Sequence, residues 1–122
     1  MDQTDYREYR ERLGRHIKCL RTALPEATAG FELLRRGALA PGVLDGKVKE
    51  RIALGIGVHQ GSKGCIAFHV HDALRAGAGR AEIEGVIGVA LLIGGGPGLM
   101  NGAEALEALD QFEATVLPVT TG

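Results

Sequence analysis

Tryptophan is missing from this chain of 122 residues, and aromatic residues together make up 4% of it. That is too few to build the stacking platforms that hold single-stranded nucleic acids. Neither sign of charge dominates: 14 Lys and Arg stand against 15 Asp and Glu, a formal net charge of −1. Such a balance offers no basic footprint to a nucleic-acid partner. Cysteine is scarce. Cys19 and Cys65 alone cannot staple a secreted disulfide scaffold. The 4 prolines and 19 glycines follow no collagen-like period. The N-terminal stretch MDQTDYREYRERLGR is charged and has no apolar h-region, unlike a signal peptide. The longest apolar run, Val86 to Ile93 with Gly88 inside it, falls far short of the ~20 residues that cross a bilayer. The expectation is a cytoplasmic domain in a reducing compartment, with no nucleic acid and no membrane as partner.

Hydrophobic residues reach 45% and charged ones 24%, enough for a packed core. The length allows one domain, taken as residues 1–122. Helical periodicity runs through it. Tyr6, Tyr9, Leu13, Ile17, Leu20 and Leu24 recur every three or four residues and predict an amphipathic N-terminal helix over 4–22. Pro25 suits the first position of a second helix carrying Ala27, Phe31 and Leu34 and ending at Gly37. Ala40-Pro41-Gly42 signals a turn. Asp45 caps a third helix with Val48, Ile52, Gly55 and Ile56 on one face, broken at Gln60-Gly61.

Ser62 caps a fourth helix that runs to about Ala76 and closes at Gly77 and Gly79. A fifth helix starts near Ala81, with Glu82 and Glu84 at its dipole-favoured end. It is apolar nearly all round from Ile83 to Ile93, so it is expected to be buried on every side, partly by another subunit. Gly94-Gly95-Gly96 stops it, and Pro97 opens a sixth helix to Phe112. The tail Leu117 to Gly122 is expected to fray. With no period-two alternation, the fold class is all-α, about six helices in an oligomeric bundle.

The chemistry concentrates in Ser62 to Asp72. Cys65 and His69, at i and i+4, share a helical face, and the His leans back over the Cys. With Ser62 as the N-cap, Cys65 stands in the first turn, where the dipole and free N–H groups favour a thiolate. His69 can accept or relay its proton, and Asp72 can orient that ring. His71 points elsewhere, about 120° round the helix from Cys65. The bland alternative is a small buried Cys beside a core His. Zinc would need three or four converging ligands, but His69 and His71 diverge, so no metal is expected. Glu50 is open to two readings: a base or orienter packed near His69, or an exposed Glu in the first turn after Asp45. The Gly94–Gly98 run lacks a P-loop pattern and reads as a helix stop. The Arg and Lys residues of the first helix alternate with acids and read as a solvated face.

Three segments together resemble a known family. Lys47-x-Lys49-Glu50-x-Ile52-Ala53-Leu54, Cys65-x-x-x-His69 and Ala73-x-x-Ala76-Gly77-Ala78-x-x-x-Glu82-Ile83 look like the carboxymuconolactone decarboxylase family, whose members include the AhpD-type alkylhydroperoxidases. The resemblance covers about residues 25 to 113. It implies an all-helical subunit that forms homo-oligomers, commonly trimers or hexamers. In AhpD-type members a Cys-x-x-Cys pair precedes the His. The second Cys attacks a peroxide, a Glu and the His relay protons, and the first Cys resolves the sulfenate as a disulfide. By this resemblance Cys65 matches the attacking Cys, His69 the His, Glu50 the Glu, and His71 a second His of some members. Ser62 replaces the first Cys and cannot form the disulfide.

Three functions follow as expectations. One is a thiol-dependent peroxidase without cofactor, in which an external thiol or Cys19 reduces Cys65. Another is a lyase using His69 and Glu50 on a small carboxylated ring. The last is a helical oligomer with a vestigial site.

Overall fold

The computed structural model describes residues 4–116, and these are all-helical. The expectation for Leu117 to Gly122 lies outside the described residues. The elements are α1 (Tyr6–Ala23), α2 (Pro25–Leu39), α3 (Gly46–Gln60), α4 (Lys63–Arg75) and α5 (Arg80–Val116).

Local chemistry sets most boundaries. The Asp5 carboxylate accepts from the Arg7 and Glu8 amides at 3.0 and 3.2 Å. Asp45 accepts from the Val48 amide at 2.9 Å, and Ser62 Oγ from the Cys65 amide at 3.1 Å. Each satisfies a donor that a helix start leaves unpaired. Gly61, at φ 77°, ends α3 in the left-handed conformation that glycine adopts without strain. Pro25 opens α2 as predicted, but α2 runs to Leu39 rather than ending at Gly37.

The last element is a hairpin. Gly95 interrupts α5 with φ 62° and ψ −139°, and Pro97 follows in the first turn of the second half. A straight helix would separate residues 30 positions apart by about 45 Å. Yet Arg80 Nη1 lies 2.8 Å from Asp110 Oδ1 and 2.6 Å from Glu113 Oε1. The chain therefore turns back at Gly95, and segments 80–94 and 96–116 are the expected fifth and sixth helices. They pack closely at glycines. A Cβ on Gly98 would meet the Ala90 carbonyl at 3.2 Å, and one on Gly102 would meet Ile87 Cγ2 at 3.0 Å. By length and composition alone, the stretch Arg80–Thr115 could cross a membrane. The reversal divides that length in two.

The core lies between α3, α4 and this hairpin. Leu54, Val58, Ile66, Val70, Ile83 and Leu109 are fully buried there. Tyr6 of α1 joins them with no exposed surface. Gln111 anchors it, accepting from the Tyr6 amide at 2.7 Å and donating to the Thr4 carbonyl at 2.8 Å. Burial pushes the Tyr6 hydroxyl up to about 12, helped by the charges of Glu104 and Glu107. The N-terminal helix is thus part of the core, not an appendage to residues 25–113.

On three helices apolar faces stay uncovered within one subunit. On α3 the buried residues are Leu54, Gly57 and Val58, while Ile52 and Ile56 are exposed. This helix carries apolar residues on two sides, and one chain can cover only one of them. Likewise segment 80–94 is not buried all round. Ile83 and Ala90 face the core, but Val89, Leu92 and Ile93 are 63%, 80% and 68% exposed. On α2 no residue is buried, and Phe31, Leu33 and Leu34 are exposed.

The hairpin should depend on Gly95 in particular. Gly95→Ala is expected to cost about 1–3 kcal/mol, because a Cβ is strained at that conformation. Gly30→Ala, inside α2 with open space around it, should instead add about 0.5–1 kcal/mol. Urea unfolding midpoints of the two variants should move in opposite directions from wild type.

Candidate functional site

Glu50 stands in the second turn of α3 and His69 in the middle of α4. The helices meet where Gly57 faces the imidazole. A Cβ on Gly57 would lie 2.6 Å from His69 Cδ2, so only a glycine lets the ring rest there. His69 Nδ1 is buried and has no hydrogen-bond partner among the described residues. Glu50, His69 and Asp72 all line one cleft of about 910 Å³ between α1, α2, α3 and α4. Its other walls are largely apolar, among them Ile17, Leu20, Phe31, Leu34 and Phe68. Arg10 stacks over Phe68, with its guanidinium carbon 5.1 Å from the ring centre.

The half-buried setting changes Glu50. Burial holds its carboxyl above the usual carboxylate range, and the negative charge of Asp72 adds to the effect. Arg35 and His69 pull it partly back. Glu50 is half-buried in the wall of the cleft rather than fully in solvent. It lines the same cleft as His69, whose charge acts on it. A carboxyl that keeps its proton more readily, beside an imidazole with a free nitrogen, can exchange protons with a third group.

Cys65 is placed differently. Ser62 caps its helix as predicted, putting it in the first turn of α4. It shares a helical face with His69, one turn away. Its thiol, however, is directed at Gln60, with Sγ 3.6 Å from Oε1, and Cys65 is not among the residues lining the cleft. The structure therefore gathers Glu50, His69 and Asp72 and leaves Cys65 at the mouth of α4.

Asp72 does not orient His69. Its Oδ1 lies 3.3 Å from His71 Nδ1, while the His69 ring rests on α3 over Gly57. His71 itself sits edge-on to Phe112, with ring centres 5.4 Å apart, and burial lowers its tendency to protonate. Cys19 is exposed on α1. Among the described residues, no three His, Cys, Asp or Glu side chains gather as metal ligands.

Sequence reasoning did not find Gln60, Gly57 or Arg35. Gln60 was visible only as part of a helix stop. Nothing in a linear pattern pairs Gly57 with a ring on the next helix.

The shifted carboxyl gives a sign to pH dependence. Folded Glu50 holds its proton to higher pH than an unfolded glutamate does. Stability linked to it is present at low pH and falls as pH rises through the raised folded value. Glu50→Gln is therefore expected to raise the urea midpoint at pH 7 and to lose that advantage in acid, below the unfolded carboxylate range. Unfolding curves of variant and wild type at several pH values check this.

Comparison with known proteins places the fold. The model of the carboxymuconolactone decarboxylase family matches residues 25–108, a span that contains Glu50, Cys65 and His69. An uncharacterized protein of Cupriavidus necator is 33% identical over 111 residues, covering 91% of this chain and 98% of that protein. The crystal structure of apo-lpg0406, a carboxymuconolactone decarboxylase family protein from Legionella pneumophila, has a TM-score of 0.84 at 36% identity. It covers 88% of this chain and 96% of that one. TM1620 from Thermotoga maritima gives a TM-score of 0.74 at 25% identity, over 89% and 93% of the two chains. With the helical fold, the matched span and these relatives in agreement, the chain belongs to the carboxymuconolactone decarboxylase family.

Proposed function

We propose that the protein is a thiol-dependent peroxidase in which Cys65 is the nucleophile and Glu50 and His69 move its proton. The observation that carries this reading is the buried, unpartnered Nδ1 of His69, one helical turn from Cys65 and close to Glu50. An imidazole nitrogen without a partner among the described residues is free to take the proton of the thiol. The Cys65 thiolate then attacks one peroxide oxygen. The O–O bond breaks, sulfur gains that oxygen as sulfenic acid, and the leaving alkoxide takes a proton from the Glu50–His69 pair.

Reduction needs a thiol from outside the site. Ser62 occupies the capping position and offers no sulfur. A small external thiol attacks the sulfenic sulfur, water leaves, and a mixed disulfide forms. A second thiol releases Cys65 and leaves as the oxidised disulfide.

A lyase is the second reading, favoured by one observation: the cleft holds Glu50, His69 and Asp72 but not Cys65. There the carboxyl and imidazole would do acid–base work on a small organic acid, with no need of sulfur.

We also propose that copies of the chain associate through the uncovered apolar faces. Ile52 and Ile56 of α3 border a groove of about 460 Å³ with Val86, Val89 and Ile93. A face of this kind on a small domain is usually buried by a partner. Light scattering is expected to give a mass of several subunits, and Ile56→Glu with Val89→Glu should reduce it.

The readings separate by assay. With dithiothreitol as reductant, wild type should consume peroxide. Cys65→Ser should abolish turnover, and His69→Ala should lower it by about 10²–10⁴-fold. Ser62→Cys should let an internal disulfide form, seen as a loss of two hydrogens by intact mass. Turnover of a carboxylated lactone that survives Cys65→Ser would transfer the assignment to the lyase.

A further inference from the structure

We propose that Gln60 is a positioning residue for Cys65: its amide orients the thiol and donates to the sulfur once it is ionised. This rests on the thiol reading above. Gln60 is the last residue of α3, and Cys65 stands in the first turn of α4. In an unbroken helix, residues five apart are turned about 140° from each other and do not meet. They meet here because Gly61 reverses the chain at φ 77° and Ser62 restarts it.

That corner is braced from behind. Asn101, on segment 96–116, donates through Nδ2 to the His59 carbonyl at 3.5 Å. Its side chain packs so tightly on Gly61 that a Cβ there would overlap it. The brace holds the turn in place, and the turn brings Gln60 Oε1 to 3.6 Å from Cys65 Sγ.

A primary amide can serve both forms of the sulfur. Toward the neutral thiol its oxygen accepts, and the bond is weak because S–H is a weak donor. Toward a thiolate, a half turn of the terminal torsion presents the NH₂ group. Hydrogen bonds to a charged partner are roughly twice as strong as neutral ones, so the amide favours the ionised sulfur. A carboxylate at the same place could only accept from S–H and would repel a thiolate.

The test is the rate of Cys65 alkylation by iodoacetamide across pH, in a Cys19→Ser background so that Cys65 alone reports. Gln60→Ala is expected to slow alkylation at neutral pH by about 2–10-fold, the loss of one hydrogen bond. Gln60→Glu should slow it further, by at least about 5-fold from one added charge at about 4 Å in a solvated setting. Raising the salt concentration should restore part of the Gln60→Glu rate and leave that of Gln60→Ala unchanged, because only the charge effect is screened. Circular dichroism checks that both variants stay folded. Equal rates in all three proteins, or a Gln60→Ala variant faster than wild type, would overturn the proposal. The alkylation series uses no peroxide. An ordered series with no peroxide turnover in wild type would therefore overturn the peroxidase and leave Gln60 in its role.

Discussion

Gly57 lets α4 lie against α3 with an imidazole between them, and the cleft depends on that approach. Any side chain at position 57 would push the His69 ring off α3. With the ring in place, Nδ1 is buried without a partner among the described residues and Glu50 comes within electrostatic reach. The same approach buries Leu54 and Val58 against Ile66 and Val70. Site geometry and core packing are thus set by one contact between two helices. Fully buried aliphatic side chains each contribute about 1.5–3 kcal/mol, and that packing energy holds the ring where solvent alone would not.

The hairpin of α5 gives this pair a back wall. The reversal at Gly95 lays one segment along the other. Arg80 then bridges to Asp110 and Glu113 near the open end, while glycines allow close contact along the length. The Arg80 side chain is partly exposed to solvent, so the ion pairs add little to stability. They mark the register of the two segments more than they hold it. Segment 96–116 also sends Asn101 to the corner before α4. A residue far along the chain therefore helps decide where Cys65 points.

Apolar surface is distributed in a way that one subunit does not use. The outer side of α3, the far side of segment 80–94 and the outer side of α2 all expose large aliphatic or aromatic groups. Together these surfaces border two grooves. One is the α3–α5 groove, almost wholly apolar. The other is the cleft, where apolar walls from α1 and α2 meet the carboxyl and imidazole. The cleft's low polarity is what keeps the Glu50 carboxyl protonated to higher pH.

The sequence by itself determined the helices and most of their ends. Asp5, Asp45 and Ser62 cap because their short oxygens reach backbone amides two or three residues away, an interaction that needs no tertiary partner. Gly61 and Gly95 stop helices because only glycine adopts those torsions without strain. The stripe of α1, the start at Pro25 and the all-α class were legible for the same local reason. Periodicity says that a helix has an apolar side, but not which of two apolar sides will find a neighbour. Ile52 and Ile56 therefore stay exposed within one subunit, while Leu54 and Val58 form the core. The candidate site divides along the same line. One-turn spacing put Cys65 and His69 on a common face, as any helix must. Only the tertiary structure decided that Glu50 lines the same cleft as His69 and that the thiol turns to Gln60. Those outcomes depend on how α3, α4 and the hairpin approach one another, and that approach is set by long-range packing that no local pattern records.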